Sequence, residues 1–389
     1  MLVRHGATLS TVAALFAPSC GGKVLAEPGI VTLAAVQNAP FDVVVNSTSV
    51  YWTNTGSVSV PIPGSLASTG AYANGAIMKM PSAGGVPVTL AFTGHDSPYY
   101  IALDPANVYW TSSVENEPSS PVGSLGGSVT KVALDGGNPV ALATGFISGG
   151  LAASSREVFW THFGGPVAAD SPAAGCVCLP SPCSGAEVCP SIDNGAVMRL
   201  SPGGKPIELA ALGHAIPAGV ALDATNVYWT NQNAGSVMKM PRSGGNPTVL
   251  ATDQQLPQDI ATDSTSVYWT TFGGGTRNGG AIVKVATGGG VPTTLASGQN
   301  PAGIAVDDQN VYWTNSSSFS GSSDGGAGGV TNVDGSVMKV PLGGGAPVVV
   351  ASGQANPMGI AVDAASVYWA NNGTDNYNLD GAIMKRTPK

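Results

Sequence analysis

Residues 227–241 read Val-Tyr-Trp-Thr-Asn-Gln-Asn-Ala-Gly-Ser-Val-Met-Lys-Met-Pro, and they decide the fold. Two short runs of β-branched, aromatic and apolar residues flank a Gln-Asn-Ala-Gly turn, the pattern of a β-hairpin. Working outward, Pro217-Ala-Gly-Val-Ala-Leu-Asp223 is an earlier apolar run that ends in a turn former. On the other side, Gly244-Gly-Asn-Pro247 makes a turn before a fourth run, Thr248-Val-Leu-Ala251. The unit is therefore a four-stranded antiparallel meander. It returns seven times, once around each tryptophan: Trp52, Trp110, Trp160, Trp229, Trp269, Trp313 and Trp369. One meander cannot bury both faces of its sheet. Stacking the units around an axis buries them and leaves only short edges. The sequence predicts an all-β, seven-bladed β-propeller over residues 30–389.

The two ends predict how the ring closes. The last copy has a first strand (358–363), a second (367–371) and a third (381–385), but no fourth. Ile30-Val-Thr-Leu-Ala34 looks like a fourth strand and precedes the first copy's own first strand. The N-terminal strand is thus expected to complete the last blade.

Composition narrows the function classes. Only 10% of the 389 residues are charged, 43% are hydrophobic, and the net charge is −8. There is no basic stripe of the kind nucleic-acid binders carry. No stretch after residue 20 approaches the ~18 apolar residues of a membrane helix. Residues 1–20 read as an export signal: Arg4 and His5, then the apolar Thr8-Leu-Ser-Thr-Val-Ala-Ala-Leu-Phe-Ala17, then Ala-Pro-Ser-Cys20. The segment also resembles a bacterial lipoprotein signal with Cys20 as the lipidated residue, although Ala17 stands where a Leu is usual. Residues 21–29 read as a linker. The expectation is a secreted, periplasmic or surface-anchored monomer that meets a membrane only through such an anchor.

Pro-x-Gly-Ile-Ala-Val-Asp, Val-Tyr-Trp-Thr-Asn and Gly-Ser-Val-Met-Lys together resemble the YWTD-type and NHL-type propeller repeats, particularly those of secreted or lipoprotein bacterial propellers. The resemblance covers residues 30–389. Two departures stand out. The family's Asp after Trp-Thr is Asn54, Asn231, Asn315 or Asn371 here, and YWTD rings commonly have six blades. The family binds diverse proteins and ligands, so the resemblance implies a recognition platform with no defined chemistry.

Tryptophan spacing runs from 40 residues (Trp229 to Trp269) to 69 (Trp160 to Trp229). The extra length falls between second and third strands: 55–74, 112–126, 162–193, 272–279, 316–334 and 372–380. Only blade four is short there. Such a connection leaves the ring on the face that carries the blade-to-blade links. Repeat proteins place insertions on their binding face, so the long-loop face is expected to recognise a protein or a glycan. Cys176, Cys178, Cys183 and Cys189 lie in the 162–193 loop and read as two disulfides of an oxidising compartment. Their Cys-x-Cys spacing does not suit zinc.

Residues fixed in every blade are expected to serve the blade. These are the basic residue of strand three (Lys79, Lys131, Arg199, Lys239, Lys284, Lys339, Lys385) and the turn residue after strand one (Asn46, Asp104, Ser154, Asp223, Asp263, Asp307, Asp363). Departures from the repeat are the better site candidates. The Gly near the start of strand one becomes Asp42, Tyr100 and Asp259 in three blades, near the channel mouth. In the preceding blade-to-blade link the ring reads Gln37, His95, Phe146, His214, Gln254, Gln299 and Gln354, and His162 replaces the blade-three Asn. His95, His214, Asp42 and Asp259 are the candidates for catalysis or a metal. Gln37, Tyr100, His162, Gln254, Gln299 and Gln354 are the ligand-binding candidates. No cofactor is firmly indicated, though the Asp- and Gly-rich loops at 322–325, 332–335 and 376–380 carry oxygens that suit Ca²⁺ or another divalent ion. The rival readings are a metal-assisted lyase or hydrolase at the channel mouth and a structural envelope component.

Overall fold

The computed structural model describes residues 29–56, 75–93, 96–114, 127–146, 148–162, 195–213, 215–273, 279–316, 334–374 and 380–389. These residues form seven four-stranded antiparallel sheets around a central axis. Blade four contains Pro217–Leu222, Asn226–Asn231, Ser236–Pro241 and Thr248–Ala251. The ring closes as the sequence predicts. Ile30–Gln37 pairs antiparallel with Gly381–Arg386 and joins Val367–Asn371 and Pro357–Val362 in the last blade. Among the described residues, no helix is long and apolar enough to cross a membrane.

The Tyr-Trp dipeptide explains how blades stack. Successive strand residues face opposite sides of a sheet, so the tyrosine meets the next blade and the tryptophan meets the previous one. Tyr51 packs in one cluster with Trp110, Tyr109 with Trp160, and Tyr228 with Trp269. The same contact crosses the closing seam, where Tyr368 of the last blade meets Trp52 of the first. Each of the seven apolar clusters mixes residues of two adjacent blades. The core is a set of seams.

Polar residues of the repeat staple the same seams. The threonine after each of six tryptophans is fully buried. Thr230 Oγ1 donates to the Gln258 carbonyl of the next blade at 2.6 Å and accepts the Gly219 amide at 3.0 Å. Thr53, Thr161 and Thr314 make the same donation to Tyr99, Ala218 and Met358. The last blade has Ala370 there instead. The basic residues of strand three also reach across: Lys79 Nζ donates to the Leu134 carbonyl at 2.7 Å and Lys385 Nζ to the Ser82 carbonyl at 2.9 Å. Both ammonium groups lie over a tyrosine of their own blade, Tyr51 and Tyr368.

The turn residues behave as the sequence suggests. Asp223 Oδ1 accepts the amides of Thr225 and Asn226, and its Oδ2 accepts the Tyr228 hydroxyl at 2.6 Å. Burial disfavours the charged form of Asp223, but these hydrogen bonds outweigh it and hold the carboxyl down at about 2. Blade three replaces both partners at once, with Ser154 for the carboxylate and Phe159 for the tyrosine. There Arg242 of blade four lies over Phe159, donates to Ser154 Oγ at 2.6 Å and pairs with Glu157 at 2.9 Å.

The second-to-third-strand connections, long or short, start beside the blade-to-blade links. Thr55 N donates to the Ala39 carbonyl, Gln232 N to Ile216, Ser316 N to Asn300 and Asn372 N to Asn356. Both kinds of connection therefore leave the ring on one face. The opposite face carries tight turns, such as 46–48 between Pro40–Val45 and Ser49–Asn54.

Candidate functional site

Innermost strands crowd the axis, and this explains the glycine of the repeat. A Cβ on Gly219 would lie 2.7 Å from the Gln258 carbonyl oxygen, and one on Gly303 would lie 2.7 Å from that of Met358. Where a side chain replaces this glycine, it enters the channel. Asp42, Tyr100 and Asp259 do so, and they share the wall of one cavity of about 250 Å³. Three of the sequence-predicted residues are thereby brought together.

Each aspartate bridges two blades. Asp42 Oδ1 accepts its neighbour Val43 N at 2.8 Å, and Oδ2 accepts Ile101 N of the next blade at 3.1 Å. Asp259 repeats this with Ile260 N and Ile304 N, both at 2.9 Å. Protein surrounds both carboxyls, although each keeps some surface open to the cavity. Burial pushes Asp42 up to about 7. The Ile101 amide pulls against this, and the charge of Asp259 adds to it. Burial likewise raises Asp259 to about 6 against its two amides. The Tyr100 phenol is pushed upward by burial and then by the charges of Asp259 and Asp42.

These shifts give a pH prediction. A carboxyl raised in the fold contributes stability that is complete below its unfolded value near 4 and lost as pH rises through 6 and 7. Asp223, held at about 2, contributes stability above pH 4 that is lost as pH falls through 2. Stability is therefore expected to peak near pH 4–5 and to decline toward neutrality. The urea midpoint between pH 3 and 8 checks this. The decline from pH 4 to 7 should shrink in Asp42→Asn/Asp259→Asn, relative to that variant's own value at pH 4.

The glutamine candidates are committed elsewhere. Gln37 Oε1 accepts the Trp52 indole N–H at 3.0 Å and the Asn54 amide at 3.1 Å, across the closing seam. Gln254, Gln299 and Gln354 cap Trp269, Trp313 and Trp369 in the same way. Each Nε2 donates to the carbonyl two residues earlier. Their geometry accounts for them as seam residues, and none lines the cavity. Replacing Gln254 with Leu leaves the Trp269 N–H unpaired and should cost about 1–2 kcal/mol in a denaturation experiment.

His162 ends Val158–His162, half-buried, with its pKa lowered by burial. It too is absent from the cavity wall. His95, His214 and all five cysteines lie outside the described residues, as do 322–325 and 376–379. Among the described residues, no group of three or more His, Cys, Asp or Glu is placed to hold a metal ion.

The sequence reading missed Phe41, Gln258 and Met358, which also line the cavity. They occupy the position before the glycine, which reads Phe41, Tyr99, Gly149, Ala218, Gln258, Ala302 and Met358 around the ring. That irregular column was the available signal. Phe41 meets the rings of Tyr99 and Tyr100 edge-on, with centroids at 5.1 and 5.6 Å.

No family model matches the chain, and no curated protein does. Two solved structures share the fold. A streptogramin B lyase superposes with a TM-score of 0.59 at 11% identity, covering 92% of this chain and 97% of its own. A catalytically inactive virginiamycin B lyase from Staphylococcus aureus with quinupristin gives 0.57 at 12% identity, covering 92% and 98%. A nidogen/laminin complex gives 0.43 at 17% identity, covering 64% of this chain and 76% of that chain.

Proposed function

We propose that this propeller is an exported binding protein that recognises a protein or a glycan through its long-loop face. The observation that carries this reading is the asymmetry of the ring. Second-to-third-strand connections reach 32 residues between Val158–His162 and Gly195–Leu200, and they start beside the blade-to-blade links. The other face keeps tight turns. The repeated polar side chains described above are engaged in holding blades together, which leaves recognition to the segments outside the repeat. Export rests on residues 1–20, with Cys20 as anchor or cleavage point, and on the four loop cysteines.

The test immobilises the whole chain and measures its binding to a glycan array and to envelope proteins of the producing cell. A chain in which residues 163–194 are replaced by the blade-four connection, 232–235, serves as the comparison. A ligand held by the whole chain and lost on replacement of this or another long connection is expected. Ligands held equally by every loop-replaced chain would refute the reading.

A second reading has one observation in its favour. Asp42 and Asp259 face one cavity with carboxyls raised toward neutrality, a condition that suits acid–base chemistry. Two lyase structures share this fold. Against this reading, all four carboxylate oxygens already accept backbone amides. Melting the chain with EDTA and then with restored Zn²⁺, Mg²⁺ or Ca²⁺ separates the readings, because a required ion raises the melting temperature.

A further inference from the structure

On strand three, the residue paired with the tryptophan is a methionine in five blades. Met78 pairs with Trp52, Met198 with Trp160, Met238 with Trp229, Met338 with Trp313 and Met384 with Trp369. Thr130 and Val283 stand there in the other two. Paired residues of an antiparallel ladder lie on the same face of the sheet. Strand three lies farther from the axis than strand two, so each methionine packs outside its tryptophan, against the apolar cluster of that seam. All five are partly exposed. Two residues further on, Met80 and Met240 are sealed, with 0% and 1% of their surface exposed. In two blades an exposed hydroxyl reaches the outer sulfur: Thr89 Oγ1 donates to Met78 Sδ at 3.4 Å and Thr32 Oγ1 to Met384 Sδ at 3.5 Å.

We infer that these five methionines are modification sites for hydrogen peroxide, and that their oxidation loosens the seams they cap. The thioether lone pair attacks one peroxide oxygen. An S–O bond forms, the O–O bond breaks, and the second oxygen takes up the protons and leaves as water. Sulfur is oxidised and the peroxide reduced, so no further reactant is needed. The product, a sulfoxide, replaces a flexible apolar side chain by a polar one. At the outer edge of a seam its oxygen can turn toward water or a threonine hydroxyl, so the reaction proceeds in the folded ring. What is lost is apolar contact at five of the seven seams, among them the closing seam of Tyr368 and Trp52. The seams around Trp110 and Trp269 have no such cap and keep their contacts. Stability in an array of repeats is a sum over neighbours, so five small losses add.

The test exposes the whole folded chain to hydrogen peroxide at neutral pH and follows each methionine by peptide mass spectrometry. Sulfoxide is expected at the five caps, while Met80 and Met240 stay thioethers until urea unfolds the ring. Full conversion of the caps should lower the melting temperature by roughly 5–15 °C. Methionine sulfoxide reductases for both epimers should restore it. A chain with all five caps replaced by leucine, a swap of similar volume, should keep its midpoint in peroxide. That comparison separates the caps from the cysteines and from Met358 of the channel wall. Should the leucine chain fail to fold, the Met78–Met80 and Met238–Met240 comparisons and the reductase rescue carry the test. Equal rates at Met78 and Met80, full conversion with an unchanged midpoint, or an equal fall in the leucine chain would each overturn the inference.

Discussion

A chain lacking residues 30–36 is expected to melt more than about 10 °C below the full chain and over a broader range. The deleted strand supplies the fourth strand of the last blade through its pairing with Gly381–Arg386. It also buries Ala34 and positions Gln37 against Trp52. Ile30 and Leu33 are partly buried and Ala34 is buried, so losing their contacts alone removes about 3 kcal/mol, less than the roughly 1.5–3 kcal/mol for each large side chain that full burial would give. For a domain of more than about 200 residues, each kcal/mol moves the midpoint about 2–4 °C. Topology adds to this loss. A closed ring has as many seams as blades, whereas an open array has one fewer and its stability is a sum of neighbour terms. The seam that opens is the one where Tyr368 meets Trp52. Scanning calorimetry checks the result, and an unchanged midpoint would mean that the ring closes by other means.

Thr230→Val is expected to cost about 3 kcal/mol, while Thr230→Ser should cost much less. Valine preserves the shape but strands two buried backbone groups, the Gly219 amide and the Gln258 carbonyl. Each buried group left unpaired costs about 1–3 kcal/mol. Thr230 and Gly219 are buried, so water cannot reach the stranded amide. Urea denaturation of both variants decides the matter, and equal destabilisation would assign the effect to packing. Blade seven shows what a seam does without this hydroxyl. Ala370 has none, and the Asn372 side-chain amide donates instead to the Pro40 carbonyl across that seam at 3.2 Å.

How much was legible in the sequence follows from what repeats. The strand pattern around each Val-Tyr-Trp fixed blade number, strand order and closure, because periodicity and turn residues are local signals. The turn role of Asp223 and its equivalents was legible for the same reason. The staple role of Thr230 was not, since a buried threonine in a strand looks like any β-former until its neighbour's carbonyl is placed. Gln37, Gln254, Gln299 and Gln354 were visible as a ring, but their tie to tryptophan spans a seam that sequence spacing does not reveal. Asp42, Tyr100 and Asp259 were found as departures from a glycine column, because only a crowded axis demands that glycine. Their convergence on one cavity needed the blades in place, as did the contribution of Phe41, Gln258 and Met358 from the adjoining column.

Recognition by segments outside the repeat is tested most directly on a chain whose six long connections are all replaced by residues 232–235. The measurement is its dissociation constant for a ligand that the whole chain holds, made once calorimetry shows that the ring still melts cooperatively. Affinity reduced by more than about tenfold, a loss above 1.4 kcal/mol, is the expected result. Undiminished affinity in a folded, loop-replaced ring would contradict it and move the site onto the blades themselves.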